Sequence, residues 1–254
     1  MNHRHLLLMS SSRKDQLGYL EHAHAQIHAL LQHRQQQVVF IPYAAVSFDY
    51  ERYEDMVRPV FEQLGYGFSS LHRHADPQAA LQQADAIAVG GGNTFALLKR
   101  LQDAGLMSVI QDRVRQGAPY IGWSAGGNVA GPTIRTTNDM PIVQPASLRG
   151  LGLLPFQVNP HFTPGKPPGH NGESREERLA EFLALNAPEE LVALPEGSAL
   201  LVEGDQVQVL GERGALHFRP RGEVLTLHEG KRFALSRIQG PADMAGWPDF
   251  LPPN

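Results

Sequence analysis

Tyr120-Ile121-Gly122-Trp123-Ser124-Ala125-Gly126-Gly127-Asn128 is the stretch on which the reading of this chain turns. A short apolar run enters Gly-x-Ser-x-Gly, and small residues continue beyond it. In a nucleophile elbow a serine occupies a tight turn between a strand and a helix, and small neighbours let that turn close without clashes. Residues 120–122 therefore read as a strand, and 126–130 as the start of a helix whose first amides, unpaired and partly positive, lie near the serine. A glycine-rich turn with an idle serine would share the five-residue pattern. The strand-to-helix context favours a nucleophile.

The same rhythm extends towards the N-terminus. Residues 6–9, 38–41, 67–71 and 86–89 are short strand-like runs. Amphipathic stretches predicted as helices lie between and after them: 17–33, 50–64 with Asp49 as N-cap, 76–83 with Pro77 in its first turn, 94–102 and 106–115. Strands alternating with helices build βαβ units, so the expected class is α/β: a mostly parallel, flavodoxin-like sheet with helices on both faces. Two polar loops, 135–145 and 163–172, break the rhythm, and long loops in compact domains tend to carry function. A helix near 175–185 follows. From 191 onward the chain is β-rich, with hairpin-like turns at Glu203-Gly204-Asp205 and Glu212-Arg213-Gly214. The expectation is one domain over 1–254: an α/β core over 1–190 and an antiparallel, β-rich C-terminal extension over 191–254.

The 254 residues are 42% hydrophobic and 19% charged, an ordinary globular balance with ample length for a core. Without cysteine, a disulfide framework, a thiolate zinc site and a cysteine nucleophile are excluded. A net charge of −4 and no basic block argue against nucleic acid. Leu6-Leu7-Leu8-Met9 is too short for a signal-peptide core or a membrane span, and no later run is long enough to span. The expectation is a soluble, cytoplasmic protein with no nucleic acid or membrane partner. Its oligomeric state is not written in the sequence.

Gly90-Gly91-Gly92-Asn93-Thr94 follows a strand. It lacks the Lys-Ser/Thr of a P-loop and the G-x-G-x-x-G spacing of a dinucleotide site. Consecutive glycines expose amides, so this loop reads either as half of an oxyanion hole or as a tight packing turn. A serine nucleophile needs a base, and there are 12 histidines. Six lie at the N-terminus or on a predicted helical face, and His24 and His28, spaced i, i+4, have no third metal ligand in view. His161 differs: it closes the run 156–161 where an α/β sheet would present a site residue. His170, in the second polar loop, is placed to gate or bind substrate. The carboxylate that orients the base is either Asp139, in the first polar loop, or Glu196, at a strand end after Pro195; rigidity favours Glu196. Ser174-x-x-Glu177 is a capping box, so Arg175 falls in a first helical turn, where a cation costs ~0.3–1 kcal/mol. Either Arg175 pairs with Glu173, or it helps the helix terminus bind an anion such as a substrate carboxylate.

Four stretches taken together, Gly90 to Phe95, Gly122 to Asn128, Asn159-Pro160-His161-Phe162 and Gly172-Glu173-Ser174-Arg175, resemble the peptidase E family. These are alpha-aspartyl dipeptidases, serine peptidases related in fold to class I glutamine amidotransferases. The resemblance covers essentially the whole chain and is weakest at 165–169. It implies hydrolysis of dipeptides with an N-terminal aspartate through an aspartyl-enzyme, without metal or cofactor. It implies Ser124 as nucleophile, His161 as base, and Asp139 or Glu196 as third member. The amides of Gly92 and Ala125 would be the oxyanion donors. Asn93 and Arg175 would meet the substrate aspartate, and Glu173 its free amine. The rival reading is an α/β-hydrolase esterase, whose order Ser…Asp…His would select Ser124, Asp205 and His228. A non-enzymatic binding domain with an inactive elbow is a second rival.

Overall fold

In the computed structural model, which describes residues 4–31, 36–169 and 171–238, the N-terminal half is a series of strand–helix units. In chain order these are β1 (His5–Met9), α1 (His24–Leu31), β2 (Gln37–Ile41), α2 (Tyr50–Gln63), β3 (Gly67–Ser70), α3 (Pro77–Gln83), β4 (Ala86–Val89), α4 (Thr94–Asp103), α5 (Met107–Arg115), β5 (Tyr120–Trp123) and the single turn α6 (Ala125–Asn128). After the first polar loop come β6 (Gln157–Phe162), α7 (Arg175–Leu185) and β7 (Leu191–Pro195). The chain then adds β8 (Ala199–Glu203), β9 (Gln206–Leu210), β10 (Ala215–Phe218), β11 (Val224–Leu227) and β12 (Arg232–Ala234).

Eight strands form one sheet in the order β12-β9-β8-β1-β5-β4-β2-β3, parallel from β1 to β3 and antiparallel beyond β1. Alternate side chains go to opposite faces. Leu7, Met9, Val38, Phe40, Ala88 and Trp123 join a core with Ile27 of α1 and Val57 and Phe61 of α2. Leu6, Leu8, Val39, Ile87 and Val89 meet α3, α4 and α5 on the other face. Burial on both faces is why these strands read as continuous apolar runs.

The β-rich tail is shared between two sheets. β8, β9 and β12 widen the main sheet, whereas β7, β10 and β11 join β6 in a four-stranded sheet ordered β11-β10-β7-β6. β7 runs parallel to β6, and the remaining pairs there are antiparallel. The 203–205 turn closes the β8–β9 hairpin as expected. The 212–214 turn instead carries the chain from one sheet to the other. The smaller sheet is apolar on both faces: Val158, Val192 and Leu194 enter the main core, while Phe162, Leu191 and Ala193 pack beneath Leu179 and Leu183 of α7.

The helix expected over 17–33 begins later, at His24, after a 3-10 turn. Asp15 and Leu20 hold positive φ of 51° and 55°, the Leu20 amide donates to Ser12 O, and the Glu21 carboxylate takes the Gly18 amide. These local bonds hold residues 10–20 as a loop and leave Leu17 exposed. Among the described residues no helix is long and apolar enough to cross a membrane.

Candidate active site

β1, β4 and β5 point their carboxyl ends to one edge of the main sheet, the edge where open α/β sheets bind ligands. Ser124 leaves β5 with φ 53° and ψ −114°, a backbone state that costs ~1–3 kcal/mol and persists only where its surroundings fix it. The fixing is visible. A Cβ at Gly122 would lie 2.4 Å from Gly126 O, and one at Gly126 only 2.1 Å from Val89 O, so the turn closes only on glycine. The Ser124 amide donates to Met9 O at 3.0 Å, and the buried Tyr120 hydroxyl donates to Gly126 O at 2.7 Å. The helix expected beyond the serine is only one turn, because Gly126-Gly127 is a poor helix former; the Asn128 amide donates to Ser124 O at 2.9 Å, and its side-chain Nδ2 donates to Val158 O. What the elbow offers is therefore local backbone rather than a long helix dipole.

The Gly90-Gly91-Gly92 loop packs directly on the elbow: a Cβ at Gly91 would come within 2.9 Å of Ser124 Cβ. Gly92 holds φ 137°, and a Cβ there would strike Ala44 O at 2.2 Å. The two glycine-rich signals of the sequence thus meet in one place.

His161 Nε2 lies 3.0 Å from Ser124 Oγ, and its Nδ1 lies 3.0 Å from Glu196 Oε1. A carboxylate only accepts, so Nδ1 carries the proton towards Glu196 and Nε2 presents its lone pair to the serine hydroxyl. The imidazole reaches the serine from the smaller sheet: His161 sits in β6 where the pairing with β7 slips between Asn159 and Phe162, and its φ is 52°. Its amide donates to Ser10 Oγ at 2.9 Å, and the same hydroxyl donates to Leu194 O at 2.8 Å. Ser10, fully buried at the end of β1, thereby ties β6 and β7 to the main sheet. The sequence shows Ser10 only as the polar stop of an apolar run. Glu196 is the first residue of the turn from β7 to β8, and its side chain is 59% exposed.

Asp139 faces elsewhere. Its Oδ2 accepts the Thr94 amide at 2.7 Å and the Thr94 hydroxyl at 2.6 Å. Asn93 caps α4 by accepting the Ala96 amide, and its Nδ2 donates to Met140 O at 2.9 Å. Both side chains thus fasten the 135–145 loop to the start of α4. Of the two carboxylates considered, Glu196 is the one beside His161. The esterase set does not assemble. Asp205 accepts the Ser236 amide and hydroxyl at the β8–β9 turn. Because Ala199 pairs with Met9 and Glu203 with His5, that turn lies at the opposite edge of the sheet from Ser124. His228 follows β11 in the smaller sheet.

A cavity of about 560 Å³ lies between the 135–140 segment, the 163–167 segment and the start of α7; Asp139, Thr163, Glu173 and Arg175 are among its lining residues. The capping box is present, with Ser174 accepting the Glu177 amide and Glu177 the Ser174 amide. Arg175 makes no hydrogen bond or ion pair among the described residues, and Glu173 lies 3.6 Å from Arg178 instead. Burial, and then the neighbouring Arg178, pull the Arg175 guanidinium below its usual value, while Asp139 acts in the opposite sense. A half-buried cation without a partner favours an anion in this cavity. Gly165 and Lys166 bind Glu176 and Glu177 and so hold the second polar loop against α7. His170 lies outside the described residues.

Most of the chain is matched by relatives. A peptidase E from Shewanella amazonensis is 49% identical over 213 residues, covering 84% of this chain and 90% of its own. A peptidase E from Pasteurella multocida is 47% identical over 225 residues, covering 88% and 96%. The crystal structure of a peptidase from an acI-B1 Actinobacterium superposes with a TM-score of 0.65 over 92% of this chain and 98% of that one; at 20% identity it speaks for the fold alone. The sequence pattern of peptidase family S51 matches residues 6–210, and with relatives this similar over this length the chain belongs to that family.

Proposed function

We propose that the protein is a serine-type dipeptidase that cleaves dipeptides with an N-terminal aspartate, with Ser124, His161 and Glu196 as its catalytic triad. The observation that carries this is the continuous chain Ser124 Oγ–His161 Nε2 and His161 Nδ1–Glu196 Oε1, 3.0 Å at each link. Ser124 Oγ attacks the peptide carbonyl carbon while its proton passes to His161 Nε2, and Glu196 steadies the imidazolium. The negative charge gathers on the carbonyl oxygen, where the amides of Gly92 and Ala125 donate to it. His161 returns the proton to the leaving nitrogen, the C–N bond breaks, and the second amino acid departs. Water, giving a proton to His161, then attacks the aspartyl ester; collapse expels Ser124 Oγ, which regains its proton, and aspartate is released.

Arg175, which makes no hydrogen bond or ion pair among the described residues, supports aspartate as the acyl-side residue, since such a side chain would bring its guanidinium a carboxylate. Asn93 retains a second Nδ2 hydrogen for the same ligand, and Glu173 supplies negative charge for its amine. A cytoplasmic location fits this reading: with no cysteine, nothing in the chain depends on an oxidising compartment.

The test is hydrolysis of Asp-Leu, Asn-Leu and acetyl-Asp-Leu by wild type and Ser124→Ala. Wild type should prefer Asp-Leu over Asn-Leu by at least ~10³-fold, the scale on which a buried polar partner rejects an analogue that leaves it unpaired. Ser124→Ala should lose ~10⁴-fold or more in kcat with its fold intact. Retention of more than a few per cent of the rate removes Ser124 from the role.

A further inference from the structure

Tyr53 belongs to none of the stretches that carry the chemistry. It sits on α2, 2% exposed, with its hydroxyl beneath the Gly90–Gly92 loop. That hydroxyl lies 2.9 Å from Gly91 O, 3.2 Å from Trp123 Nε1 and 3.2 Å from the Tyr19 hydroxyl. The direction of these bonds is forced. An indole N–H only donates and a carbonyl only accepts, so the single Tyr53 proton goes to Gly91 O. The lone pairs of the oxygen receive Trp123 and Tyr19, and Trp123 also donates to Tyr19 at 2.9 Å.

The Gly91–Gly92 peptide is closely packed by its neighbours, but its own torsions are not fixed by side chains. Neither residue has a Cβ, and glycine accepts either sign of φ. A trans peptide directs its C=O and N–H to opposite sides. Rotation of this one plane would turn the Gly92 N–H away from the reacting carbonyl and bring the Gly91 oxygen towards it, replacing attraction by repulsion. The ends of the loop are held by backbone, Gly90 N to Ile41 O at 3.2 Å and Asn93 N to Ala44 O at 2.9 Å. Between them, the Gly91 carbonyl is held by Tyr53.

We propose that Tyr53 is a positioning residue for the oxyanion site: its hydroxyl, through Gly91 O, holds the Gly91–Gly92 peptide with the Gly92 N–H turned to the developing charge. A donor on the carbonyl also polarises the amide and strengthens the N–H on its other side. Burial, and next to it Tyr19, push the Tyr53 phenol well above its ordinary value, so it remains a neutral donor through the neutral pH range. Tyr53 touches no reacting atom; it acts through Gly92. The inference rests on Gly92 as an oxyanion donor, and thus on the proposed function.

The experiment is the rate of Ser124 phosphonylation by a fluorophosphonate, located by mass spectrometry, in wild type, Tyr53→Phe and Tyr19→Phe. Ser124 Oγ displaces fluoride at phosphorus and the phosphoryl oxygen takes the oxyanion position, so the readout needs no peptide substrate. Tyr53→Phe should slow the reaction ~10- to 100-fold, below the ~10²- to 10³-fold seen when a donor is removed outright. Trp123 keeps Tyr19 as its acceptor in that variant, so the lost bond is the one to Gly91. Tyr19→Phe takes a hydroxyl from the same network without touching Gly91 and should slow the reaction less than ~5-fold. With Asp-Leu, the Tyr53→Phe loss should fall on kcat and leave KM within ~2-fold, as for a contact made only in the transition state. Equal slowing by both variants, or no slowing by Tyr53→Phe, overturns the proposal. Should Tyr53→Phe not fold, 4-aminophenylalanine at position 53 keeps the ring and a weaker donor; its rate should fall short of wild type, and an unchanged rate overturns the proposal. A wild-type protein that takes the probe but leaves Asp-Leu intact refutes the dipeptidase and leaves the Tyr53 test standing. One inert to the probe refutes both.

Discussion

Ser124 and His161 both hold positive φ, 53° and 52°, and they face each other from different sheets. The serine is legible in the sequence because its requirement is local: small residues two positions before and after it. The histidine is selected by its place at the end of an apolar run, although the bulge that turns it inward leaves no mark in the sequence. Glu196 and Asp139 could be weighed only by general rigidity, since which of them meets His161 is decided by how the turn after β7 folds back. Glu196→Gln should lower kcat for Asp-Leu ~10²-fold, less than the ~10⁴-fold for a buried triad acid, because water reaches this carboxylate. Asp139→Asn should cost less, since an amide oxygen can still accept from Thr94. The reverse order, with both variants folded, would assign the orienting role to Asp139. Arg175→Met should erase most of the Asp-Leu over Asn-Leu preference by slowing Asp-Leu, with stability changed by less than ~1 kcal/mol because the macrodipole term is small. An intact ratio would make Arg175 a surface charge.

Most helices begin near where their caps stand in the sequence: Asp49, Asp76, Asn93 and Ser174 each accept an amide one turn ahead. Capping is local chemistry and survives reading from sequence. The predicted 17–33 helix begins late because the Ser12–Leu20 and Gly18–Glu21 bonds compete with helix over 10–20, and apolar spacing does not register such bonds. On α2, Glu54 is buried and receives Arg58 and Arg73, the latter at 2.9 Å. Burial acts to raise its carboxyl, but hydrogen bonds from Arg73 and Arg58 outweigh it and hold the group below its usual range. A lowered pKa supplies stability that is present above the unfolded value and is lost as pH falls through the folded one. Glu54→Gln should therefore cost ~1–3 kcal/mol near neutrality, the scale of an unmet buried group, with the gap to wild type narrowing as pH falls below ~4. Urea midpoints for both proteins across that range provide the check; a constant gap would mean that Glu54 acts through packing alone.

At the scale of the molecule, the parallel core was readable because strands buried on both faces announce themselves as apolar runs. The partition of the tail was not, because β7, β8 and β10 carry similar apolar patterns and differ in which neighbour they pair with. The proposed triad spans that partition: Ser124 from the main sheet, His161 from the smaller one, Glu196 from the turn joining them. Ser10 is the hydrogen-bonded rivet between them. Ser10→Ala leaves the His161 amide and the Leu194 carbonyl without this partner, and should lower stability by ~1–3 kcal/mol in urea titration. The rate of Asp-Leu hydrolysis should fall with it. Unchanged stability and rate would show that packing alone holds the two sheets in register.

The place of Glu196 in the chain also sets a timetable. During synthesis the elbow and the histidine emerge first, while β1 is still an open edge awaiting β8. Synthesis runs from the N-terminus, and a domain generally folds as a unit. A nascent chain stalled before residue 196 would thus hold the proposed nucleophile and base without the acid proposed to align them, and the turn that brings this acid also leads into the strand that closes the edge. Alignment of the proposed base and protection of the sheet from stray pairing thus depend on one stretch of chain, the turn after β7 and the strand it leads into.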